Sequence, residues 1–361
     1  MPISLNFAEF VEILKWIISP TRGPTKLFEK VAKPLKTYWF SLEACRRTGV
    51  KVLALEFAFL AVLFHFNELK KPKIDQNELS DLLHGLCWIG YDPKDFDPAT
   101  SPNPSLQSLK RDLDWIHAAG FTGVVTFACR GTLCDIPELA KDRGFAVIAG
   151  VWDPGDGWEV RQAINMQESV DAYCVGHNGL NKPRAYNFEE LSRAIQLIRL
   201  RTSKPVTTSE EARYYQPGTG ILLLGDWLFP DVHISLREAT SSICDSNIDR
   251  DVLCYVGQAK RLAALSKELG KPLLLKAVVY PYGGATGASL QTQDLFFSTL
   301  IEELRDPLRG INHPVSLAVH SAFDAPWKQG FPFYSWDPYT GLLENDGVPR
   351  PAASSITNLC H

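Results

Sequence analysis

Glutamate is missing from one stretch of this 361-residue chain, and both acidic residue types from another, where apolar, strand-like runs give way to loops. No Glu occurs between Val170 and Arg184, and neither Asp nor Glu occurs between Gly270 and Gln293. The first stretch therefore supplies no glutamate, and the second no carboxylate at all, for acid–base or covalent chemistry at those strand ends. Clustered positive charge is also missing. The net charge is −4, and residues 81–361 carry 25 Lys/Arg against 33 Asp/Glu. Phosphate binding needs a basic patch, so this balance argues against nucleic acid as a partner. There is no CxxC pair, and Cys129 and Cys134 are the only close cysteines among eight. No Cys/His set has structural-zinc spacing, so no metal is expected. The apolar setting of Cys87, Cys129 and Cys174 reads as buried free thiols, with a disulfide the alternative if the domain is exported. A GxGxxG fingerprint after the first strand is absent, which weakens a dinucleotide reading, and no cofactor is expected. No internal repeat or low-complexity tract is present.

What is present divides into two regions. Residues 1–80 hold 12 Lys/Arg against 8 Asp/Glu. Phe7, Phe10, Val11, Leu14 and Ile18 follow helical spacing until Pro20 and Gly23 break it. Leu53–Phe66, LALEFAFLAVLFHF, is strongly apolar but short, since a spanning helix takes roughly 20 apolar residues. Extending it to residues 50–69 reaches that length but includes Glu56, which costs about 2.5–3.5 kcal/mol near a bilayer centre. The region reads as helical, and either membrane-associated or self-associating. PKIDQNE, residues 72–78, reads as the linker between the two regions.

Residues 81–361 alternate strand-like and helix-like segments. Strands are predicted at Gly85–Tyr91, Gly123–Cys129, Ala146–Trp152, Ala172–His177, Val206–Ser209, within 221–234, at Pro272–Tyr280 and at Val315–Phe323. Helices are predicted between them, including Leu106–Ala119, Phe188–Leu200, Val252–Leu269 and Leu290–Leu304. Eight strands alternating with helices over about 270 residues predict a (β/α)8 barrel, with a doubly wound open sheet as the alternative.

In such a barrel, chemistry sits where strands run into their C-terminal loops. The predicted ends gather Tyr91 and Asp92, Arg130, Trp152 and Asp153, His177 and Asn178, Glu210, Asp231 and His233, Tyr280 and Tyr282, and Asp324 and Trp327. Aromatic faces beside hydrogen-bonding groups suit a sugar ring, which stacks its C–H face and directs its hydroxyls. Each residue has a plainer reading as well. A single Trp or Tyr is often core or rim, a His is often a satisfied structural imidazole, and Asp324 reads as a loop cap. The set at one mouth carries the carbohydrate expectation.

Five segments, in order, resemble glycoside hydrolase family 17, especially its bacterial β-1,3-glucanase-like members. They are GLCWIGYDP at 85–93, IPELAKDRGFAVIAGVW at 136–152, KPVTTSEE at 204–211, KPLLLKAVVYPYGGATGAS at 271–289 and AFDAPWK at 322–328. The resemblance covers about residues 84–352 and leaves residues 1–80 outside. It implies a retaining mechanism with two glutamates, an acid/base in Val-Gly-Asn-Glu on strand four and a nucleophile in Glu-x-Gly-Trp-Pro on strand seven. Matched without gaps, Val175-Gly176-His177-Asn178 occupies the first motif, with Asn178 at the acid position. Ala277 falls at the nucleophile position, followed by Val278-Val279-Tyr280-Pro281. An amide cannot transfer a proton as a carboxylic acid does, and a methyl group cannot attack a sugar. His177, Val279 and Tyr280 depart from the motifs too, so the whole site has diverged.

Three functions are compatible with these residues. One is a catalytically degenerate barrel that binds β-glucan or a related carbohydrate. Another is an active glycosidase or transglycosidase with an acid/base site rebuilt around Glu210, whose plainer role is a substrate hydrogen-bonder or strand-end structural carboxylate. The third is a structural or protein-interaction barrel placed by residues 1–80.

Overall fold

A computed structural model describes residues 74–180, 185–232, 248–311, 313–330 and 334–360, all within one of the two compact units of the chain, Pro72–His361. The helical reading of residues 1–73, the apolar 50–69 segment and His233 lie outside the described residues. No described helix is long and apolar enough to cross a membrane.

Seven parallel strands form one sheet. They are β1 (Trp88–Gly90), β2 (Gly123–Val125), β3 (Ala146–Val151), β4 (Ala172–His177), β5 (Val206–Ser209), β6 (Leu274–Val278) and β7 (Ser316–Val319), in spatial order β5-β4-β3-β2-β1-β7-β6. The extended segment 226–232 stands in the gap between β5 and β6. Its Asp231 N–H donates to the Glu210 carbonyl at 2.9 Å, and the Lys276 N–H donates to the Pro230 carbonyl at 2.9 Å. Asp231 bridges both Glu211 and Lys276 in parallel register. The segment is thus the sixth stave, and the sheet closes into the expected (β/α)8 barrel, with β6 and β7 in the seventh and eighth positions.

The helices between strands are α2 (Leu106–Ala118), α3 (Ile136–Lys141), α4 (Gly157–Asn165), α5 (Phe188–Thr202), the single turn α6 (Ile221–Leu224), α7 (Ile248–Leu269) and α8 (Leu290–Arg305). Their apolar faces bury against the outward side chains of the strands, such as Ile89, Val124, Val147, Val175 and Leu275. The alternate, inward side chains build a second core from Trp88, Val125, Ile148, Ala172, Cys174, Trp227, Phe229, Leu274 and Ala318. Strands buried on both faces explain why these segments read as continuous apolar runs.

Residues 72–78 are not all linker. Helix α1 (Gln76–His84) begins inside them, because the Asp75 carboxylate accepts from the backbone N–H groups of Asn77 (2.8 Å) and Glu78 (3.3 Å). Leu79 and Leu83 of α1 join the inward core, so this helix plugs the bottom of the barrel. The Trp88 indole N–H donates to the Leu83 carbonyl at 3.1 Å and holds the plug to β1.

Cys87 is not a free thiol. It is bonded to Cys360 at the end of α9 (Pro351–Cys360), a helix that the sequence pattern does not single out, while Cys129, Cys134, Cys174 and Cys254 are free. The bridge spans 273 residues and ties the start of β1 to the C-terminal helix. Cross-linking positions so far apart constrains the unfolded chain strongly. Cys360→Ser is expected to lower unfolding free energy by about 2–4 kcal/mol. Urea unfolding of oxidised, reduced and variant protein checks this. The reduced and variant curves should coincide, and three superimposed curves would show that the bond contributes nothing.

Candidate functional site at the barrel mouth

Two irregularities in the ladders shape the mouth. Pairing shifts register between Cys174 and His177 of β4, and between Lys276 and Val278 of β6. The backbone takes positive φ at Gly176 (78°), Asn178 (53°) and Ala277 (54°). For Asn178 and Ala277 this is an uncommon conformation that the surrounding structure must hold in place. Such bulges re-aim side chains at strand ends. Here side chains from two strands that are far apart in the sheet order meet.

Lys276 reaches across the barrel from β6. It is 3% exposed, and its Nζ lies 2.9 Å from His177 Nδ1 and 3.8 Å from Cys174 Sγ. The rings of Phe127 and Phe229 stand 5.3 and 5.5 Å from the ammonium, near enough for cation–π attraction. Behind His177, Nε2 faces Asp231 Oδ2 at 3.7 Å, and that oxygen accepts from Asn178 Nδ2 at 2.5 Å. Lysine, imidazole, carboxylate and amide therefore form one chain of contacts. Room for it comes from small neighbours. A Cβ on Gly150 would lie 2.7 Å from the Phe127 backbone, and one on Gly90 would lie 2.9 Å from His320 Nδ1.

Glu210 sits at the end of β5 and is held rather than presented. Its Oε1 accepts from Tyr186 Oη (2.6 Å) and from the backbone N–H groups of Gly179 (3.1 Å) and Leu180 (3.3 Å). Burial pushes its carboxyl above the usual range, and these three donors pull the other way. Gly179 is required here, since a Cβ would lie 2.0 Å from the Tyr186 ring. Asp92, after β1, is also raised by burial, against the pull of Lys328 and Lys276.

Trp152 at the end of β3 is 47% exposed, with its ring 5.4 Å from that of His177 and tilted by 40°. Its backbone is fixed from below by Glu159 of α4, a residue that the sequence marks only as part of a helix start. The Glu159 carboxylate is fully buried and accepts from the backbone N–H groups of Trp152 (2.8 Å), Asp153 (3.2 Å) and Cys129 (3.1 Å), and from Arg130 Nε (2.8 Å). Asp153 accepts from Gly155 and faces Arg130 at 3.6 Å. A carboxylate three residues after Asp156, the N-cap of α4, is the available signal.

The structure thus gathers Trp152, His177, Asn178 and Asp231 around Lys276, with Glu210 bracing the loop after β4. Other expected residues are placed elsewhere. Tyr91 is buried in the helix layer, with its hydroxyl 3.3 Å from Asp112. Tyr280 stacks on Phe296 at 4.2 Å and donates to Asp251. Both rings point outward from the barrel, which corrects the expectation that they face a sugar. Tyr282 and Asp324 bond each other at 2.6 Å and are gripped by Arg350. Trp327 packs edge-on against Phe96, with Lys328 over its ring. Ala277 offers no functional group, and Lys276 beside it is the side chain that enters the mouth. A lone lysine within the apolar run LLLKAVV is the signal for it.

No family model and no curated protein matches this chain. Solved structures do. An endo-laminarinase from Formosa matches with TM-score 0.53 and 16% identity, over 73% of this chain and 84% of that one. A β-1,3-glucanase and pollen allergen of Cryptomeria japonica matches with TM-score 0.55 and 13% identity, over 73% and 97%. A GH5_18 from Bifidobacterium longum subsp. infantis matches with TM-score 0.54 and 14% identity, over 76% and 77%. At these identities the likeness is one of fold alone, a (β/α)8 barrel that this chain shares with those glycosidases.

Proposed function

We propose that this chain is a family-17-like barrel that binds β-glucan or a related carbohydrate and has lost the two-glutamate route of hydrolysis. The carrying observation is the Lys276–His177 contact of 2.9 Å between the fourth and seventh barrel positions. A retaining glycosidase needs two carboxyl groups there, about 5–5.5 Å apart. This chain has an amine and an imidazole in contact, with Asn178 and Ala277 at the matched positions. Carbohydrate as the ligand is supported by the half-exposed Trp152 ring beside His177 and by the barrels that share the fold, among them a laminarinase and a β-1,3-glucanase. Residues 1–80 would then place the barrel, through a membrane contact or self-association.

The test uses the full chain and laminari-oligosaccharides. Binding should quench tryptophan fluorescence, and no reducing ends should appear above buffer during prolonged incubation at high protein concentration. Trp152→Ala should weaken binding by about tenfold or more, a loss of ~1.4 kcal/mol. Absence of binding would overturn the reading. Steady release of reducing ends would do so too, and release abolished by Glu210→Gln would identify a rebuilt acid/base centre. That second reading is favoured by one observation, the upward shift of the buried Glu210 carboxyl.

A further inference from the structure

We propose that Lys276 is a nucleophilic amine that captures the aldehyde or ketone of a short hydroxylated carbonyl compound, the open-chain form of a small sugar, as an imine. This goes beyond the glucan-binding reading and does not depend on it. Four observations carry it. Lys276 is 3% exposed, yet among the described residues no carboxylate lies within ion-pair distance of its amine. Asp92 and Glu210 feel its charge but neither pairs with it directly, so its desolvation is offset only at a distance. Its walls are the rings of Phe127 and Phe229, which attract a cation but accept no proton. Its polar contacts are the Cys174 thiol at 3.8 Å and His177 Nδ1 at 2.9 Å, the latter a base able to take a proton from nitrogen. The opposite ring nitrogen faces Asp231, itself held by Asn178, so the imidazole is oriented and its protonated form stabilised. Nucleophile, base and orienting carboxylate in that order are the arrangement by which proteins activate weak nucleophiles. The position is the C-terminal mouth of a barrel, where substrates enter.

The chemistry balances without an oxidant or reductant. The Lys276 ammonium gives one proton to His177. The freed lone pair attacks the carbonyl carbon, a C–N bond forms, and the carbonyl π pair moves to oxygen. One nitrogen proton passes to that oxygen, giving a neutral carbinolamine. His177 then returns its proton to the hydroxyl, which leaves as water while the nitrogen lone pair closes the C=N bond. The product is a protonated imine plus one water, with the charge unchanged.

The test incubates the full chain with glyceraldehyde and cyanoborohydride and maps reduced adducts by peptide mass spectrometry. Lys276 should label at least about tenfold faster than the exposed lysines, despite its burial. His177→Gln keeps the amine and removes the base, and should slow Lys276 labelling by about 10²-fold while surface labelling is unchanged. Urea unfolding of the variant shows that it is folded. Labelling confined to surface lysines in the folded wild type would overturn the proposal, as would undiminished Lys276 labelling in a folded His177→Gln variant. Glucan binding measured in parallel separates failure here from failure of the carbohydrate reading.

Discussion

Glu159→Ala is expected to lower unfolding free energy by about 3–5 kcal/mol and to strip the mouth of its aromatic platform. The carboxylate has no solvent exposure and satisfies four donors: the backbone N–H groups of Cys129, Trp152 and Asp153 at the ends of β2 and β3, and Arg130. Truncation leaves three backbone N–H groups without an acceptor in a site too enclosed for each to find water. Such orphaned donors cost about 1–3 kcal/mol apiece, and partial relaxation brings the sum down to the stated range. Arg130 loses least, because it is partly exposed and keeps Asp156 at 3.2 Å. Glu159→Gln should cost less, since one oxygen still accepts, but its NH2 group is turned toward donors. Urea unfolding measures the stability, and acrylamide quenching reports whether the Trp152 region has loosened. A loss under about 1 kcal/mol would show that the three N–H groups find other partners. Intact ligand affinity in a folded variant would remove Glu159 from any role in positioning Trp152.

Arg350→Ala should be of similar size, about 3–5 kcal/mol, for a different reason. This guanidinium is buried at the start of α9 and is shared by two carboxylates. It donates to Asp324 at 2.9 and 3.2 Å, to Glu344 at 3.1 and 3.2 Å, and to the Gly341 carbonyl at 2.7 Å. It also lies over the Tyr282 ring at 3.9 Å. Removing it leaves Asp324, which is largely buried, without its counter-charge, and unties the loops after β6 and β7 from the C-terminal helix. Arg350→Lys keeps the charge but lacks the planar fork that serves both carboxylates, so it should recover only part of the loss. Thermal unfolding of the two variants ranks them. Equal stability of Arg350→Lys and wild type would show that charge alone, and not the fork geometry, holds these loops.

The barrel is legible in the sequence because its cause is local and repeated. Strands buried on both faces write themselves as apolar runs, and helices between them carry one apolar stripe, as β3 and β4 with α5 show. Even the sixth stave is signalled within residues 221–234, although it pairs through single bridges and not through a regular ladder. The α1 plug reads as linker because polar Asp75, Gln76 and Asn77 look like loop chemistry. Only the barrel bottom, by burying Leu79 and Leu83, makes a helix of it. Tyr91 and Tyr280 read as mouth residues from their positions at strand ends. Which side of the barrel wall each ring takes depends on alternation that a one-residue step reverses.

What the sequence determined by itself is the barrel, the lack of glutamate where β4 ends and the lack of any carboxylate along β6, since composition along a strand is fixed whatever the fold does. Tertiary structure alone decided which side chains meet at those two strand ends. His177 and Lys276 are 99 residues apart and belong to staves that face each other across the barrel. They meet only because two bulges turn their strand ends inward and because Gly90 and Gly150 leave space for the rings around them. Contact across a closed barrel is set by register and curvature, which no local run of residues encodes.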